Sequence, residues 1–140
     1  MTTDHPSLEE IVERFGMERH HLAGWYAPHY SDSEVSGPPR LSSMYYLLAG
    51  DEPVQLHKLN GIEVWHYYLG APVEMLVTNG SRMHQVSLLG ADLAAGQRPQ
   101  LAVPAHVWHA SRSLGEWTLL GCTMSPGYSP HSPFVLNVIG

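Results

Sequence analysis

Three side chains that could bind a metal or transfer protons lie near turns of an otherwise apolar chain. His57 precedes the turn pair Asn60-Gly61, Glu63 follows it within the run GIEVWHYYLG, and His109 lies in VPAHVWHAS. A carboxylate buried alone in so apolar a run is costly unless it is paired, protonated or bound to a cation, so Glu63 needs a partner. If the second segment returns beside the first, the three residues form a two-histidine, one-carboxylate set with open coordination positions.

The turn between His57 and Glu63 predicts how the two side chains are placed. Asn60-Gly61 is the best two-residue hairpin turn in the chain, so the two residues are expected at the ends of a tight hairpin. Because side chains alternate along a strand, Gln55 is expected on the face of His57, and Tyr67 on the face of Glu63. Tyr67 is therefore a candidate catalytic residue.

The elements around these residues are predicted to be mostly strands. Segment 7–15 is the one persuasive helix, because Ser7 and Glu10 form a capping box before apolar residues at helical spacing. From residue 20, short runs rich in Tyr, Val, Trp and Thr are broken by turn pairs, which is typical of an all-β antiparallel sandwich or barrel. The predicted strands are 24–30, 42–49, 53–59, 62–69, 73–78, 83–89, 100–103, 107–112 and 116–124.

The composition restricts the class of protein. A chain of 140 residues can bury one core, so a single domain spanning 1–140 is expected. The net charge of −6 is unsuited to gathering phosphates and argues against a nucleic-acid partner. Cys122 is the lone cysteine, and no apolar run approaches the roughly 20 residues of a membrane span. We therefore expect a cytoplasmic protein with no membrane partner.

Histidine is unusually frequent, since ten imidazoles outnumber the seven lysines and arginines. Most of them are interpreted as polar surface groups that stand in for missing lysines. His20, His21 and His29 flank the phrase GWY and could line a barrel entrance, but a solvated surface position is the favoured interpretation.

Two segments resemble the conserved motifs of the cupin superfamily. Residues 57–70 match the first motif, with His57 as its first histidine and Glu63 as its glutamate, and residues 104–109 match the second, with His109 as its ligand. Over 7–135 the chain is similar to a small single-domain cupin subfamily of largely unknown function. The resemblance implies an antiparallel double-stranded β-helix, the jelly-roll cupin barrel, with a short N-terminal helix.

Three positions depart from the cupin motifs. Leu59 replaces the second histidine of the first motif, His106 replaces a glycine of the second motif, and Ser113 replaces its closing asparagine. The resemblance therefore implies three metal ligands, with Fe, Mn, Ni or Zn as the divalent metal, and His106 as a possible extra catalytic imidazole. The implied ligands are His57, Glu63 and His109.

Three functions remain open at this point. The first is a metal-dependent enzyme, a dioxygenase, lyase or isomerase, that acts on a small oxygenated or aromatic molecule. The second is a metal-free isomerase or epimerase with His57 or His109 as general base and Tyr67 or Tyr45 as acid. The third is a non-catalytic small-ligand-binding cupin.

Substrate contacts and a partner are predicted from aromatic and charged residues. Tyr45, Trp65 and Trp108 could stack on a flat substrate, although aromatic residues at strand spacing are also common in cores. Arg40 could clamp a substrate carboxylate or cap a loop. A homodimer is expected to cover the apolar second face of strand 62–69.

Overall fold

The helix forms as the sequence predicts. The computed structural model describes residues 5–32, 39–78 and 84–128. Helix α1 (Leu8–Phe15) begins after Ser7, whose hydroxyl oxygen accepts the Glu10 N–H at 3.1 Å, while the Glu10 carboxylate accepts the Ser7 N–H at 3.0 Å. The predicted capping box is confirmed. In the described part of the chain, no helix is long and apolar enough to cross a membrane.

The strands form two antiparallel sheets. They are β1 (Glu18–Arg19), β2 (Trp25–Ser31), β3 (Ser42–Ala49), β4 (Val54–His57), β5 (Ile62–Gly70), β6 (Val73–Thr78), β7 (His84–Leu89), β8 (Gln100–Val103), β9 (Trp108–Ser113) and β10 (Trp117–Ser125). One sheet has the strand order β1-β2-β3-β10-β5-β8, and the other has the order β4-β9-β6-β7. The predicted all-β class is confirmed.

Each predicted strand is present with small changes at its ends. Strand β1 and a short 3-10 helix at Leu93–Ala95 were not predicted, and β4 ends at His57 instead of residue 59. Residue 83, the predicted start of β7, lies outside the described residues, as do 129–135 of the segment similar to cupins.

The predicted hairpin across Asn60-Gly61 is wrong. Strand β4 pairs with β9, whereas β5 pairs with β8 and β10, so the turn carries the chain from one sheet to the other. Gly61 does not have the positive φ that a type I′ turn requires. A Cβ atom there would lie 2.8 Å from the Pro126 carbonyl oxygen, so this glycine allows close packing between chain segments.

The expected alternation along β4 is also wrong. Val54 and His57 are both buried, while Gln55 is exposed and does not share the face of His57. The reason is a register shift: Val54 lies opposite Ser111 and His57 lies opposite His109, so three steps on β4 match two steps on β9. This bulge turns His57 towards the interior.

Two apolar clusters lie on opposite faces of the six-stranded sheet. Trp65, Leu48 and Leu120 belong to the cluster between the sheets, and all are less than 2 % exposed. Ile11 of α1 and Leu47 belong to a second cluster, which lies under the helix on the outer face of the six-stranded sheet. Along β3, neighbouring residues therefore face different environments.

Gly24, in the segment between β1 and β2, packs closely against the backbone of β3. Gly24 has a φ of 73°, and a Cβ atom there would clash with the Leu47 carbonyl oxygen. We expect Gly24→Ala to lower the free energy of unfolding by roughly 2–4 kcal/mol, from the left-handed backbone and the overlap together. Gly96, with a φ of 85° and no atom near a Cβ, is the matched control.

Urea denaturation of both variants measures this difference. Gly96→Ala should lose only the conformational part, about 1–2 kcal/mol. Equal losses in the two variants would contradict the argument from close packing at Gly24.

Candidate functional site

A partly open cavity between the two sheets borders the predicted site. Its volume is about 250 Å³, and its wall includes apolar side chains such as Met44, Val54 and Trp65. His57 and Glu63 also line this cavity. The polar groups therefore lie in apolar surroundings, where charges interact strongly.

His57 and His109 lie side by side in the four-stranded sheet. They are register partners on β4 and β9, and their ring centroids are 4.2 Å apart. Nδ1 of His57 lies 2.8 Å from the Gln55 carbonyl oxygen, and Nδ1 of His109 lies 3.2 Å from the Val107 carbonyl oxygen. Because a carbonyl oxygen only accepts, each Nδ1 carries a proton, and Nε2 is the ring nitrogen left to bind a metal.

Glu63 reaches the same place from the opposite sheet. It is buried on β5, and its Oε1 atom accepts a hydrogen bond from the Trp65 indole N–H at 2.8 Å. The same oxygen lies 3.6 Å from Nε2 of His109. His109 therefore lies next to both other predicted ligands, with the two histidines on one sheet and the carboxylate on the other.

The surroundings set the protonation of these groups. Burial, together with the neighbouring His109, lowers the pKa of His57 to about 4, so this ring is neutral at pH 7. Burial alone would raise the pKa of Glu63, but His109 and the Trp65 N–H stabilise the carboxylate and leave its pKa below the usual value. The cavity thus holds an ionised carboxylate beside a neutral imidazole.

Two imidazoles and a carboxylate are side chains of the kinds that bind a divalent metal. Nε2 of His109 is buried with no hydrogen-bond partner. Its 3.6 Å separation from Glu63 is too long for a hydrogen bond and close to the roughly 3.0–3.5 Å expected between two ligands bound about 2.1 Å from one cation. Within 5–32, 39–78 and 84–128, no three His, Cys, Asp or Glu side chains form a closed cluster, so a cation would have to draw the ligands together.

The two tyrosines predicted as candidate acids lie away from the cavity. Tyr67 packs against the core between the sheets, and its hydroxyl donates to the Gly70 carbonyl oxygen at 2.6 Å. Tyr45 lies on the outer face, where its ring contacts Phe15 of α1 at a centroid distance of 4.9 Å. Neither residue lines the cavity.

Three further predicted residues also lie outside the cavity lining. The ring of Trp108 lies 5.0 Å from the Lys58 ammonium, and Arg40 pairs with Asp32 at 2.6 Å, as the loop-capping alternative expects. His106 is exposed and has a φ of 66°, a left-handed backbone that glycine adopts without strain. Of the predicted aromatic contacts, only Trp65 lines the cavity.

The residues that line the cavity include two polar aromatic side chains that the sequence interpretation did not select. Tyr46 is 2 % exposed, and its ring contacts Trp65 at a centroid distance of 5.8 Å. The signal for it was the strand period, because Tyr46 is in phase with the buried Leu48 and out of phase with Tyr45. His20 is the other, so the predicted solvated surface position is wrong for this histidine.

Comparisons with known proteins agree with this fold. The sequence matches the family model described as Cupin superfamily (DUF985) over residues 9–133. No curated protein matches the sequence significantly. The structure is similar to protein SO0799 from Shewanella oneidensis, with 27% identity and a TM-score of 0.88 over 95% of this chain and 85% of that chain.

Two further solved structures extend the comparison. A hypothetical protein from Leishmania major is 21% identical, with a TM-score of 0.84 over 94% of this chain and 88% of that chain. A Bacillus subtilis oxalate decarboxylase with Mn(II) centres is 14% identical, with a TM-score of 0.61 over 97% of this chain and 33% of that chain. This chain thus spans about a third of that enzyme, and the likeness concerns the fold.

These findings confirm the jelly-roll fold that the two motifs implied. The family model covers 9–133, which includes both motif segments and all three predicted ligands. The chain therefore belongs to the DUF985 family of the cupin superfamily.

Proposed function

We propose that this protein is a metal-dependent cupin enzyme that acts on a small oxygenated or aromatic molecule by dioxygenase, lyase or isomerase chemistry. The observation that supports it most is the buried Nε2 atom of His109, which has no hydrogen-bond partner and faces the Glu63 carboxylate. A polar atom left unpaired in an apolar interior is costly, and a bound cation would satisfy it.

The surroundings of the ligands support the same proposal. Metal-binding histidines usually donate their other ring N–H to a carbonyl or carboxylate, and both His57 and His109 donate Nδ1–H to main-chain carbonyls. The Trp65 N–H holds one oxygen of Glu63 in the same manner. Fe, Mn, Ni and Zn all accept two imidazoles and a carboxylate as ligands. We therefore propose a divalent metal from this group without choosing one of the four.

The chain's own residues would then bind and orient the substrate. A bound divalent metal supplies a Lewis acid that polarises a carbonyl or hydroxyl oxygen. Met44, Val54 and Trp65 give the substrate an apolar wall and restrict the entry of water. Glu63 and the two histidines would hold that metal beside the apolar wall.

Metal titration tests this proposal. We expect EDTA-treated protein to bind one Co(II) or Mn(II) ion per chain, and His109→Gln or Glu63→Gln to weaken that binding at least about a hundredfold, because a ligand is lost. Isothermal titration and elemental analysis measure both quantities.

The matched control for these variants is His106→Gly. It removes an exposed imidazole outside the cavity at a position with positive φ, which glycine adopts without strain. Binding by His106→Gly should equal that of the unchanged protein. A chain that binds neither Co(II) nor Mn(II), or a His106→Gly variant as weak as His109→Gln, would contradict the ligand assignment.

A metal-free isomerase is the second candidate. The observation that favours it is the Glu63–His109 pair, which could transfer a proton without a cation. Tyr46 is a buried tyrosine of the cavity lining, but its hydroxyl donates to the Ala23 carbonyl oxygen at 2.7 Å, and burial raises its pKa well above the usual value. Tyr46 is thus poorly suited to act as the acid, which lowers the rank of this candidate.

The non-catalytic role, the homodimer and the cytoplasmic location remain predictions. A non-catalytic ligand-binding role would use the same cavity. For the predicted homodimer, Ile62, Tyr68 and Leu69 of β5 are about half exposed on the outer face of the sheet. The expected cytoplasmic location is kept as part of the proposal.

A further inference from the structure

The cavity wall formed by segment 20–24 is held in place by several hydrogen bonds. The Tyr46 hydroxyl donates to the Ala23 carbonyl oxygen at 2.7 Å, and the Gly24 N–H donates to the Glu52 carboxylate at 3.0 Å. These bonds anchor the segment to β3 and to the turn after it. The histidine at its start is therefore held by a fixed backbone.

The ring of His20 has a defined tautomer. The Leu22 N–H lies 3.1 Å from Nδ1 of His20. A backbone N–H can only donate, so Nδ1 accepts, and the neutral ring carries its proton on Nε2. Burial lowers the pKa of His20 to about 4, which keeps the ring neutral at pH 7. This tautomer is the reverse of that in His57 and His109.

Neighbouring rings fix the orientation of His20 in the cavity. It stacks on His21 at a centroid distance of 4.7 Å and contacts Tyr46 at 5.0 Å and Tyr26 at 5.3 Å. All four residues line the same cavity as His57. A ring packed on several sides has little rotamer freedom left to lose when a ligand binds.

The polar groups around it differ in what they can offer a ligand. His57 presents an Nε2 lone pair, and Glu63 presents carboxylate oxygens, so both accept. The Trp65 N–H is already bonded to Glu63, and the Tyr46 hydroxyl is bonded to Ala23. Among His57, Glu63, Trp65, Tyr46 and His20, the His20 Nε2–H is therefore the donor that remains for a ligand.

We infer that His20 is a substrate-binding residue whose Nε2–H donates to a carbonyl or carboxylate oxygen of a small planar, largely apolar substrate. The inference rests on the proposed function and names the substrate class for the same cavity. The ligand's oxygen would accept the hydrogen bond from His20, and the ligand's apolar ring would lie against Met44, Val54 and Trp65. A hydrocarbon of the same shape would leave the donor unpaired and bind more weakly.

The tautomers can be measured without any ligand. In EDTA-treated protein with 15N-labelled histidine at pH 7, long-range proton–nitrogen NMR spectra should show His20 protonated at Nε2 and His57 and His109 protonated at Nδ1. A His20 ring protonated at Nδ1 would overturn the inference.

Binding of two isosteric probes then tests the donor. Acetophenone carries a carbonyl oxygen, and α-methylstyrene carries a methylene group in its place. We expect acetophenone to bind the EDTA-treated protein more tightly, and His20→Asn to weaken acetophenone roughly fivefold while leaving α-methylstyrene unchanged. The asparagine Oδ1 can replace Nδ1 as acceptor for the Leu22 N–H, but its amide is too short to replace Nε2–H.

His20→Gln is the matched variant. Its longer side chain can place an N–H near the position of Nε2, so acetophenone affinity should return to within about twofold of that of the unchanged protein. Equal losses for both probes in His20→Asn, or no preference for acetophenone in the unchanged protein, would overturn the inference. Because these measurements need no metal, failure of the metal titration would leave their outcome unaffected.

Discussion

Replacing His109 by leucine should destabilise the metal-free protein by about 3–5 kcal/mol, because it removes the imidazole that stabilises the buried Glu63 carboxylate. Glu63 is 7 % exposed and would keep only the Trp65 N–H as a hydrogen-bond donor. Urea denaturation with EDTA present measures the free energy of unfolding.

The double variant shows whether the charge is the cause. Glu63→Leu together with His109→Leu removes both partners and should recover most of the loss, since a well-packed apolar pair replaces a buried carboxylate–imidazole pair at little cost. His57→Leu is the matched control, because it removes a neutral buried imidazole and one hydrogen bond, worth about 1 kcal/mol. A double variant as unstable as His109→Leu would show that lost packing, not the unpaired carboxylate, dominates.

Local patterns predicted most of the fold. The capping box of α1 involves residues three apart, and the alternation of β5 depends on residues two apart, so a short window contains the whole signal. The failed hairpin at Asn60-Gly61 has a different cause. Gly61 packs against Pro126, and no local rule can anticipate a contact between residues so distant in the chain.

The candidate site was predicted in part for the same reason. The motif resemblance grouped His57, Glu63 and His109, and the structure places His57 beside His109 and Glu63 next to His109. Their placement on opposite sheets depends on the pairing of β4 with β9. The bulge that turns His57 inward arises from that pairing, so it could not be predicted from the alternation of β4 alone.

The contribution of His20 to the cavity wall could not be predicted from the sequence. His20 follows the two-residue strand β1 in a segment without periodicity, so nothing in its neighbourhood distinguishes it from a surface histidine. Its burial comes from contacts with Tyr46 and Tyr26, which are set by the packing of β2 on β3. The burial of Tyr46, by contrast, could be predicted from the alternation of side chains along β3 alone.

Acidification should destabilise the metal-free protein in the range where its two cavity histidines gain protons. The pKa values of His20 and His57 are lowered by burial to about 4, whereas the pKa in the unfolded chain is near 6.5. Between these values the unfolded state binds more protons, so stability is complete above pH 6.5 and falls as the pH decreases to 4. For His20 alone the loss reaches up to about 3 kcal/mol.

Urea denaturation between pH 7 and 4, with EDTA present, measures this loss. His20→Gln removes one titrating group, so its stability should change less steeply between pH 6.5 and 4 than that of the unchanged protein. Surface carboxylates with lowered pKa values, such as Glu52, are protonated mainly below pH 4.5 and fall outside most of this window. Stability that stays constant from pH 6.5 to 5 would mean that both imidazoles remain as solvated as in the unfolded chain, which would contradict their burial in the cavity.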